Sequence, residues 1–490
     1  MSELQKYFQK YRNNIIGINH SFTSPFGEKK IIYADWIASG RLYAPLEKKI
    51  TETFGPFVGN THTETSVTGT TMTHAYHNAQ NVIKQHVNAG PDDVIITAGS
   101  GMTAVVNKFQ RILGIKVTDN CLACMSIKSE DKPVVFVTHM EHHSNHTSWL
   151  ETIADVIVIE PDERGLVDYD KLPELLKKYD NRKLKIGAFS ACSNVTGIQS
   201  DYYKLAHIMH EHGGLCFIDF AASAPYVKMD MHPENPSEKL DAIFFSPHKF
   251  LGGPGSSGVI IFDKHLYKRS VPDHPGGGTV NWTNPWGGHS YIEDIEARED
   301  GGTPGFLQAI KVALSIKLKE EMGVEKILAR EEELLHKFFK RFRDIDKVHL
   351  LANDIEDRLG VLSFYVEDLH YNLIVKLLND KFGIQVRGGC SCAGTYGHYL
   401  MHVDPTRSAK ITDLIEKGDL SEKPGWIRLS LHPTMTDEEL DYCMDAIEET
   451  VKNGHEWSKE YKYSSTTNEF THINEEEIDK VIPSWFEMHL

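Results

Sequence analysis

The sequence contains no uninterrupted apolar run approaching the ~20 residues that a membrane helix needs. Its opening, MSELQKYFQKYRNN, has none of the apolar core of a signal peptide. The expectation is a cytoplasmic protein without a membrane partner. Positive charge is also short: 52 Lys and Arg face 69 Asp and Glu, a formal charge of -17 over 490 residues. Such a surface repels polyanions, so nucleic acid is not expected as a partner, although a local basic pocket is allowed. Cysteine is sparse and odd in number, seven in all. No disulfide framework is expected, and each thiol is read for burial or reactivity. Cys121 and Cys124 form a single C-x-x-C with no second pair at zinc-site spacing. Cys216, inside GGLCFIDF, reads as a small buried hydrophobe. No metal site is expected.

Short, continuous apolar runs are abundant between about Asp93 and Phe262: DVIITAG, PVVFVTH, DVIVIEP, IGAFSACS, LCFIDF, AIFFSPHK and GVIIF. Helix-like stretches lie between several of them, among them SDYYKLAHIMHEHGG, which stops at a glycine pair. Continuous apolar strands alternating with helices imply an α/β fold whose mostly parallel sheet is covered by helices on both faces. After GGTPG the pattern changes to a long amphipathic helix, with Ile327, Leu328, Leu334, Leu335, Phe338 and Phe342 at helical spacing. A smaller C-terminal α/β unit follows, with strand candidates VLSFYV and WIRLSL and a final helix DEELDYCMDAIEETVKNG. The expected organisation is an N-terminal segment, 1–32, packing on the small domain; a large domain, 33–295; a small domain, 296–454; and an extended Ser-, Thr- and Glu-rich appendage, 455–490.

The stretch SPHKFLGGPGSSG, Ser246 to Gly258, places a lysine ahead of its glycines. A nucleotide-phosphate loop runs in the opposite order, because the backbone wraps the phosphates before the ammonium reaches them. Lys249 is therefore a candidate amine nucleophile. Ligands of a wound α/β sheet gather at the carboxyl ends of its strands. Those ends here carry AGSGMTA, a small-residue turn suited to a phosphate, then EHHSNH, SNVTG, Asp219 and SPHK. A phosphate cradle, a His, an Asn, an Asp and a Lys are what a ring-nitrogen cofactor with a phosphate and an aldehyde needs. Lys249 would take the aldehyde, Asp219 would keep the ring nitrogen protonated, and His142 would stack on the ring and shuttle protons.

On these motifs the chain resembles the class V aminotransferase-fold enzymes dependent on pyridoxal 5'-phosphate, and among them the cysteine desulfurases and selenocysteine lyases. The similarity runs from YADWIASG to the last helix near Gly454. It implies the pyridoxal-phosphate transferase fold of type I and a homodimer. By motif, Ser100, Gly101, Met102 and Thr103 match the phosphate turn, and His142 the stacking histidine. Asn194 matches the residue beside the phenolic oxygen and the substrate. Asp219 matches the pyridinium partner, Ser246 and His248 phosphate ligands, and Lys249 the Schiff-base lysine. GGGT, ending at Thr279, resembles the segment that reaches the partner subunit's phosphate. WIRLSLHPTMTDEEL makes Arg428 the fork for an α-carboxylate, and VRGGCSCAG, aligned on Arg387, places Cys392 at the desulfurase nucleophile. The implied reaction removes sulfur or selenium from cysteine or selenocysteine, leaves a persulfide on Cys392 and releases alanine. A small amino acid is the implied substrate, and a sulfur-acceptor protein a possible partner.

The chain departs from that pattern in three places. Ala222 stands where the family has Gln beside the phenolic oxygen, and Cys390 stands two residues before Cys392 where His is usual. A long segment, 393–427, separates Cys392 from Arg428. The C-x-C and GNTHTETSVTG look more like the desulfurase domain of molybdenum cofactor sulfurases. Two alternatives stay open: another class V reaction (transamination, epimerisation or β-elimination of a different amino acid), and a non-catalytic sulfur relay using the C-x-C. Within EHHSNH, His142 and His146 also fall at the i, i+4 spacing of a helical metal pair, without an accompanying carboxylate motif.

Overall fold

The computed structural model describes residues 1–475 and 481–488; the last part of the expected appendage, 476–480 and 489–490, lies outside the described residues. Seven apolar runs form one sheet: β1 (Asp93–Ala98), β2 (Val134–Thr138), β3 (Asp155–Ile159), β4 (Lys185–Ser190), β5 (Leu215–Asp219), β6 (Ala242–Phe245) and β7 (Gly258–Asp263). Their order across the sheet is β1-β7-β6-β5-β4-β2-β3. Neighbours pair in parallel except β7, which runs antiparallel to both β1 and β6. Val134 and Phe136 point into one core and Val135 and Val137 into another. That two-residue alternation with both faces apolar is why these strands read as unbroken hydrophobic runs.

Helices α1 (Glu3–Arg12), α2 (Val67–His86), α3 (Met102–Ile112) and α4 (His143–Leu150) precede or interleave with the strands, and α5 (Phe306–Met322) and α6 (Val324–Phe342) follow them. In α6 the spacing read from sequence is buried with one exception. Leu328 is exposed, and the inward positions beside it are taken by Arg330 and Glu331. A second, antiparallel sheet follows, built from β8 (Val348–Leu350), β9 (Val361–Val366), β10 (Arg387–Gly389) and β11 (Trp426–Ser430) in the order β8-β9-β11-β10. It packs with α6, α7 (Tyr371–Phe382) and α10 (Asp437–Trp457) around Phe338, Phe364, Ile374, Leu429 and Ile447. The capping box Thr436–Glu439 starts α10, and Arg12 of α1 bonds the same Glu439. Segment 393–427 folds into α8 (Gly394–Leu400), which buries Tyr396, and α9 (Pro405–Glu416), which buries none of its side chains.

The tail is not an extended appendage from residue 455. Helix α10 continues to Trp457, and β12 (Tyr461–Ser464) and β13 (Glu469–His472) then form an antiparallel hairpin. The hairpin docks on α7: Tyr461 Oη donates to Asp380 Oδ2 (3.0 Å), Asn468 Nδ2 to Tyr371 Oη (2.6 Å) and Asn372 Nδ2 to the Asn468 carbonyl (2.6 Å). Tyr461 packs with Leu373 and Leu377. Burial of these side chains, not composition, decides the conformation.

Candidate active site

One cavity of about 800 Å³ opens at the carboxyl ends of the strands and meets the second sheet on its far side. Its lining includes Ser100, Gly101, Met102, Thr103, His142, Asn194, Asp219, Ser246, His248, Lys249, Arg387, Cys392 and Arg428. Every residue that the resemblance assigns to cofactor, substrate or thiol chemistry is therefore brought together except Thr279. That hydroxyl is buried elsewhere, donating to the Gly276 carbonyl at 2.7 Å.

The floor of the cavity is the end of β1. The chain turns through Gly99 (φ 58°) and Ser100 to Gly101, where α3 begins with no side-chain cap. A Cβ at Gly101 would stand 3.2 Å from Ser246 Oγ and 3.6 Å from the His248 ring, so the turn approaches both side chains closely. The Met102 N–H donates to Ser246 Oγ at 2.9 Å, so the helix N-terminus, the Ser246 hydroxyl and the His248 ring converge. Free N–H groups, a hydroxyl and a helix dipole form an anion cradle.

Above this cradle, β2 delivers His142 as the N-cap of α4. Its Nδ1 accepts from the Ser144 N–H (3.1 Å), which leaves Nε2 as the protonated nitrogen. Burial, with Lys249 and His143 nearby, drives its pKa down to about 3, so the ring is neutral. The preceding Glu141 is buried and fully engaged. It accepts from Thr138 Oγ1 (2.7 Å), the Ser190 N–H (2.9 Å), Ser190 Oγ (2.6 Å) and Asn145 Nδ2 (2.8 Å), tying β2, β4 and α4 together.

Asp219 ends β5 at 4% exposure and accepts one N–H, from Ala221, at 2.8 Å. Burial raises its pKa and the neighbouring Glu141 adds to the rise; the Lys249 ammonium opposes it. Lys249 sits on a single 3-10 turn after β6, and burial lowers its pKa against the pull of Asp219. A buried acid with a raised pKa and a buried amine with a lowered one line the same space. Asn194 donates to the Ser391 carbonyl (2.7 Å), while its Oδ1 is buried without a partner. Arg428, on β11, donates through Nη1 to the Asn194 carbonyl (3.2 Å) and through Nη2 to Asp35 Oδ1 (2.8 Å); its Nε is buried and unpaired. These orphaned groups, the half-satisfied carboxylate and the anion cradle fit a phosphate-bearing ring with a protonated nitrogen and a carboxylated substrate. Ala222 and Cys192 also line the cavity; burial raises the Cys192 thiol pKa, so it stays protonated.

Cys392 is exposed at the mouth of the cavity, and Arg387 pairs in register with Arg428 on the adjacent strand. Cys390 is half-buried and is not part of the lining. His142 Nδ1 is taken by the Ser144 N–H and His146 Nδ1 lies 3.2 Å from Thr395 Oγ1, so each of the two rings has a partner other than a metal ion. Among the described residues no cluster of three or more His, Cys, Asp or Glu side chains could hold a metal ion. Nor is any described helix long and apolar enough to cross a membrane. Cys121 and Cys124 are exposed. The sequence reading missed Asp35, Glu141 and His143 as parts of the site, although all three lie in stretches it had singled out, YADWIASG and EHHSN. The signal available was position, immediately beside a named residue or within a named strand end.

The aminotransferase class-V family model matches residues 32–443. Among curated relatives, a probable cysteine desulfurase of Staphylococcus aureus (strain Mu50 / ATCC 700699) is 26% identical over 402 residues, covering 80% of this chain and 90% of the relative. A probable cysteine desulfurase of Staphylococcus epidermidis (strain ATCC 12228 / FDA PCI 1200) is 28% identical over 372 residues, 74% of this chain and 84% of the relative. Among solved structures, the apo cysteine desulfurase of Thermococcus onnurineus NA1 superposes with a TM-score of 0.72 at 21% identity, covering 91% of this chain and 98% of that one. A cysteine desulfurase of Escherichia coli does so at 0.69 and 20%, with the same coverage. At these identities the structural likeness is one of fold, the type I fold of pyridoxal-phosphate-dependent transferases.

Proposed function

Because the chain belongs to the aminotransferase class-V family, we propose that it is a pyridoxal-phosphate-dependent cysteine desulfurase, taking sulfur or selenium from L-cysteine or selenocysteine and releasing alanine. The observation that carries this reading is a single cavity that holds an amine (Lys249), a buried acid (Asp219), a carboxylate fork (Arg428) and a free thiol (Cys392). When bound, the cofactor supplies an electron sink conjugated to the substrate Cα. The N-terminus of α3, Ser246 and His248 would hold its phosphate, and Asp219 would hold the proton on its ring nitrogen. His142, kept neutral, would cover the ring without competing for charge, and the Asn194 amide would meet the phenolic oxygen. Lys249 would hold the cofactor through its amine and would move the substrate Cα proton; the pKa of that amine, lowered by burial, suits the task. The unpaired Nε of Arg428 and its remaining N–H groups grip the substrate carboxylate while Asp35 holds the guanidinium in plane. The Cys392 thiolate then attacks the substrate sulfur. The Cβ–S bond breaks as the S–S bond forms, the bonding pair stays with carbon, and protonation of that carbon gives alanine.

The direct test is to load the purified protein with pyridoxal phosphate, supply L-cysteine, and follow alanine together with the mass of the peptide bearing Cys392. Alanine and a sulfur added to that peptide are expected in equal amounts before any reductant is added. Alanine without the added sulfur refutes Cys392 as acceptor, and neither product refutes desulfuration. A second reading, another amino acid substrate on the same cofactor, is favoured by Ala222, which lines the cavity without the amide that the resemblance expects at that position. Consumption of other amino acids in the same assay distinguishes it. Arg428→Lys keeps the charge beside Asp35 and loses the fork; KM for L-cysteine is expected to rise about 10- to 100-fold with a smaller change in kcat, read from steady-state kinetics.

We further propose a cytoplasmic homodimer serving a sulfur-acceptor protein. Behind the GGGT turn, hairpin 280–291 ends in Trp286, 88% exposed, an apolar tip suited to a second copy of this chain.

A further inference from the structure

The loop that presents Cys392 is strained and clamped. Ser391 and Cys392 both have left-handed backbones, φ 51° and 57°, and the Ala393 N–H closes on the Cys390 carbonyl at 3.0 Å. Two positive φ values inside a four-residue hydrogen-bonded turn are the signature of a type I′ turn, which normally takes Asn and Gly. With Ser and Cys in those places, the turn persists only if its surroundings hold it.

The holding contacts come from three elements. Asn194 donates to the Ser391 carbonyl at 2.7 Å, and Trp426 Nε1 donates to Ser391 Oγ at 3.1 Å. The other two both come from His143, the first residue of α4. Its N–H donates to the Cys392 carbonyl at 2.7 Å, and its Nε2 accepts from the Gly394 N–H at 2.9 Å. One residue thus grips the chain on both sides of Ala393, directly after the thiol. Gly394 allows the approach, since a Cβ there would stand 3.1 Å from His143 Nε2. Accepting that bond requires a neutral ring, and burial together with Lys423 keeps the imidazole below its ordinary pKa.

We propose that His143 is a positioning residue, a neutral-imidazole latch that fixes the Cys392 turn and so sets where the thiol stands at the cavity mouth. The proposal rests on Cys392 being the sulfur acceptor. Its test separates the two, because the latch can be read without turnover. In the cofactor-loaded full chain, the rate of Cys392 alkylation by iodoacetamide and the steady-state constants for alanine release are compared for the parent, His143→Leu and His143→Gln. Leu removes the acceptor and keeps bulk; Gln retains an amide oxygen at similar reach. Expected for His143→Leu is an alkylation rate raised several-fold as the turn opens, and a kcat lowered about 10-fold with KM unchanged, because misplacement affects the attack and not the carboxylate grip. His143→Gln should return both quantities toward the parent.

The visible absorbance of the loaded cofactor and the thermal midpoint show whether each variant is folded. Gly394→Ala, which crowds the same nitrogen, provides a second variant that leaves His143 in place and should reproduce the alkylation change. If His143→Leu alkylates within twofold of the parent, or if Gln behaves as Leu does, the latch is overturned. If the parent alkylates as expected and releases no alanine, desulfuration fails while the latch is still read from the alkylation series.

Discussion

Lys249→Ala is expected to lower alanine release from L-cysteine by about 10³-fold or more, the scale set by losing both an anchoring amine and a proton carrier at the reacting carbon. Lys249 has no substitute: of the two lysines that line the cavity among the described residues, it is the one not held in an ion pair. Arg428 is committed to Asp35 and the Asn194 carbonyl, and Lys108 is paired with Glu299 at 2.8 Å. The neutral His142 ring is tied through Nδ1 to α4. The variant should keep the phosphate cradle, because Met102, Ser246 and the helix N-terminus do not depend on the amine, yet lose the visible absorbance of the lysine-bound cofactor. Cys392→Ala supplies the contrast. It should retain that absorbance and lose alanine release together with the added sulfur on the peptide. If Lys249→Ala retained the absorbance, some other amine would anchor the cofactor and the site would have to be redrawn.

The difference between those two residues also shows what the sequence carries. Lys249 and Asp219 were legible because each directly follows an unbroken apolar strand, and parallel strands buried on both faces announce their carboxyl ends. The antiparallel course of β7 was not legible, since GVIIF carries no direction. Asp35 and His143 were missed for a related reason. Asp35 meets Arg428 across 393 residues and His143 meets Gly394 across 251, and no local spacing encodes such pairs. The tail was misread through its Ser, Thr and Glu content. Tyr461, Tyr463 and Phe470 alternate with polar residues on the two sides of a turn, the period of a hairpin. That alternation was the better guide, because Tyr461 has Leu373 and Leu377 to cover.

Asp219→Asn is expected to act in opposite directions on the cofactor-free and cofactor-loaded protein. Without cofactor, the carboxylate lies almost wholly out of water with one N–H partner and with Glu141 adding repulsion, so the folded state binds its proton more tightly than the unfolded chain does. A raised folded pKa contributes stability that is fully present below the unfolded value, about 4, and is lost as pH rises through the folded value. Asn carries no such dependence. The thermal midpoint of cofactor-free Asp219→Asn should therefore gain on the parent as pH climbs out of the ordinary carboxylate range toward neutrality, and the gap should then level off. With pyridoxal phosphate bound, the ring nitrogen becomes the missing cationic partner. The parent should then gain more thermal stability from loading than the variant, and alanine release by the variant should fall about 10²- to 10⁴-fold, the span of a lost proton-holding group. Melting curves of both forms across pH, with the activity of the loaded pair, decide the matter. A gap that stays flat with pH would mean that Asp219 is already paired without the ring nitrogen, and its charge would then be a feature of the fold, not a socket for the cofactor.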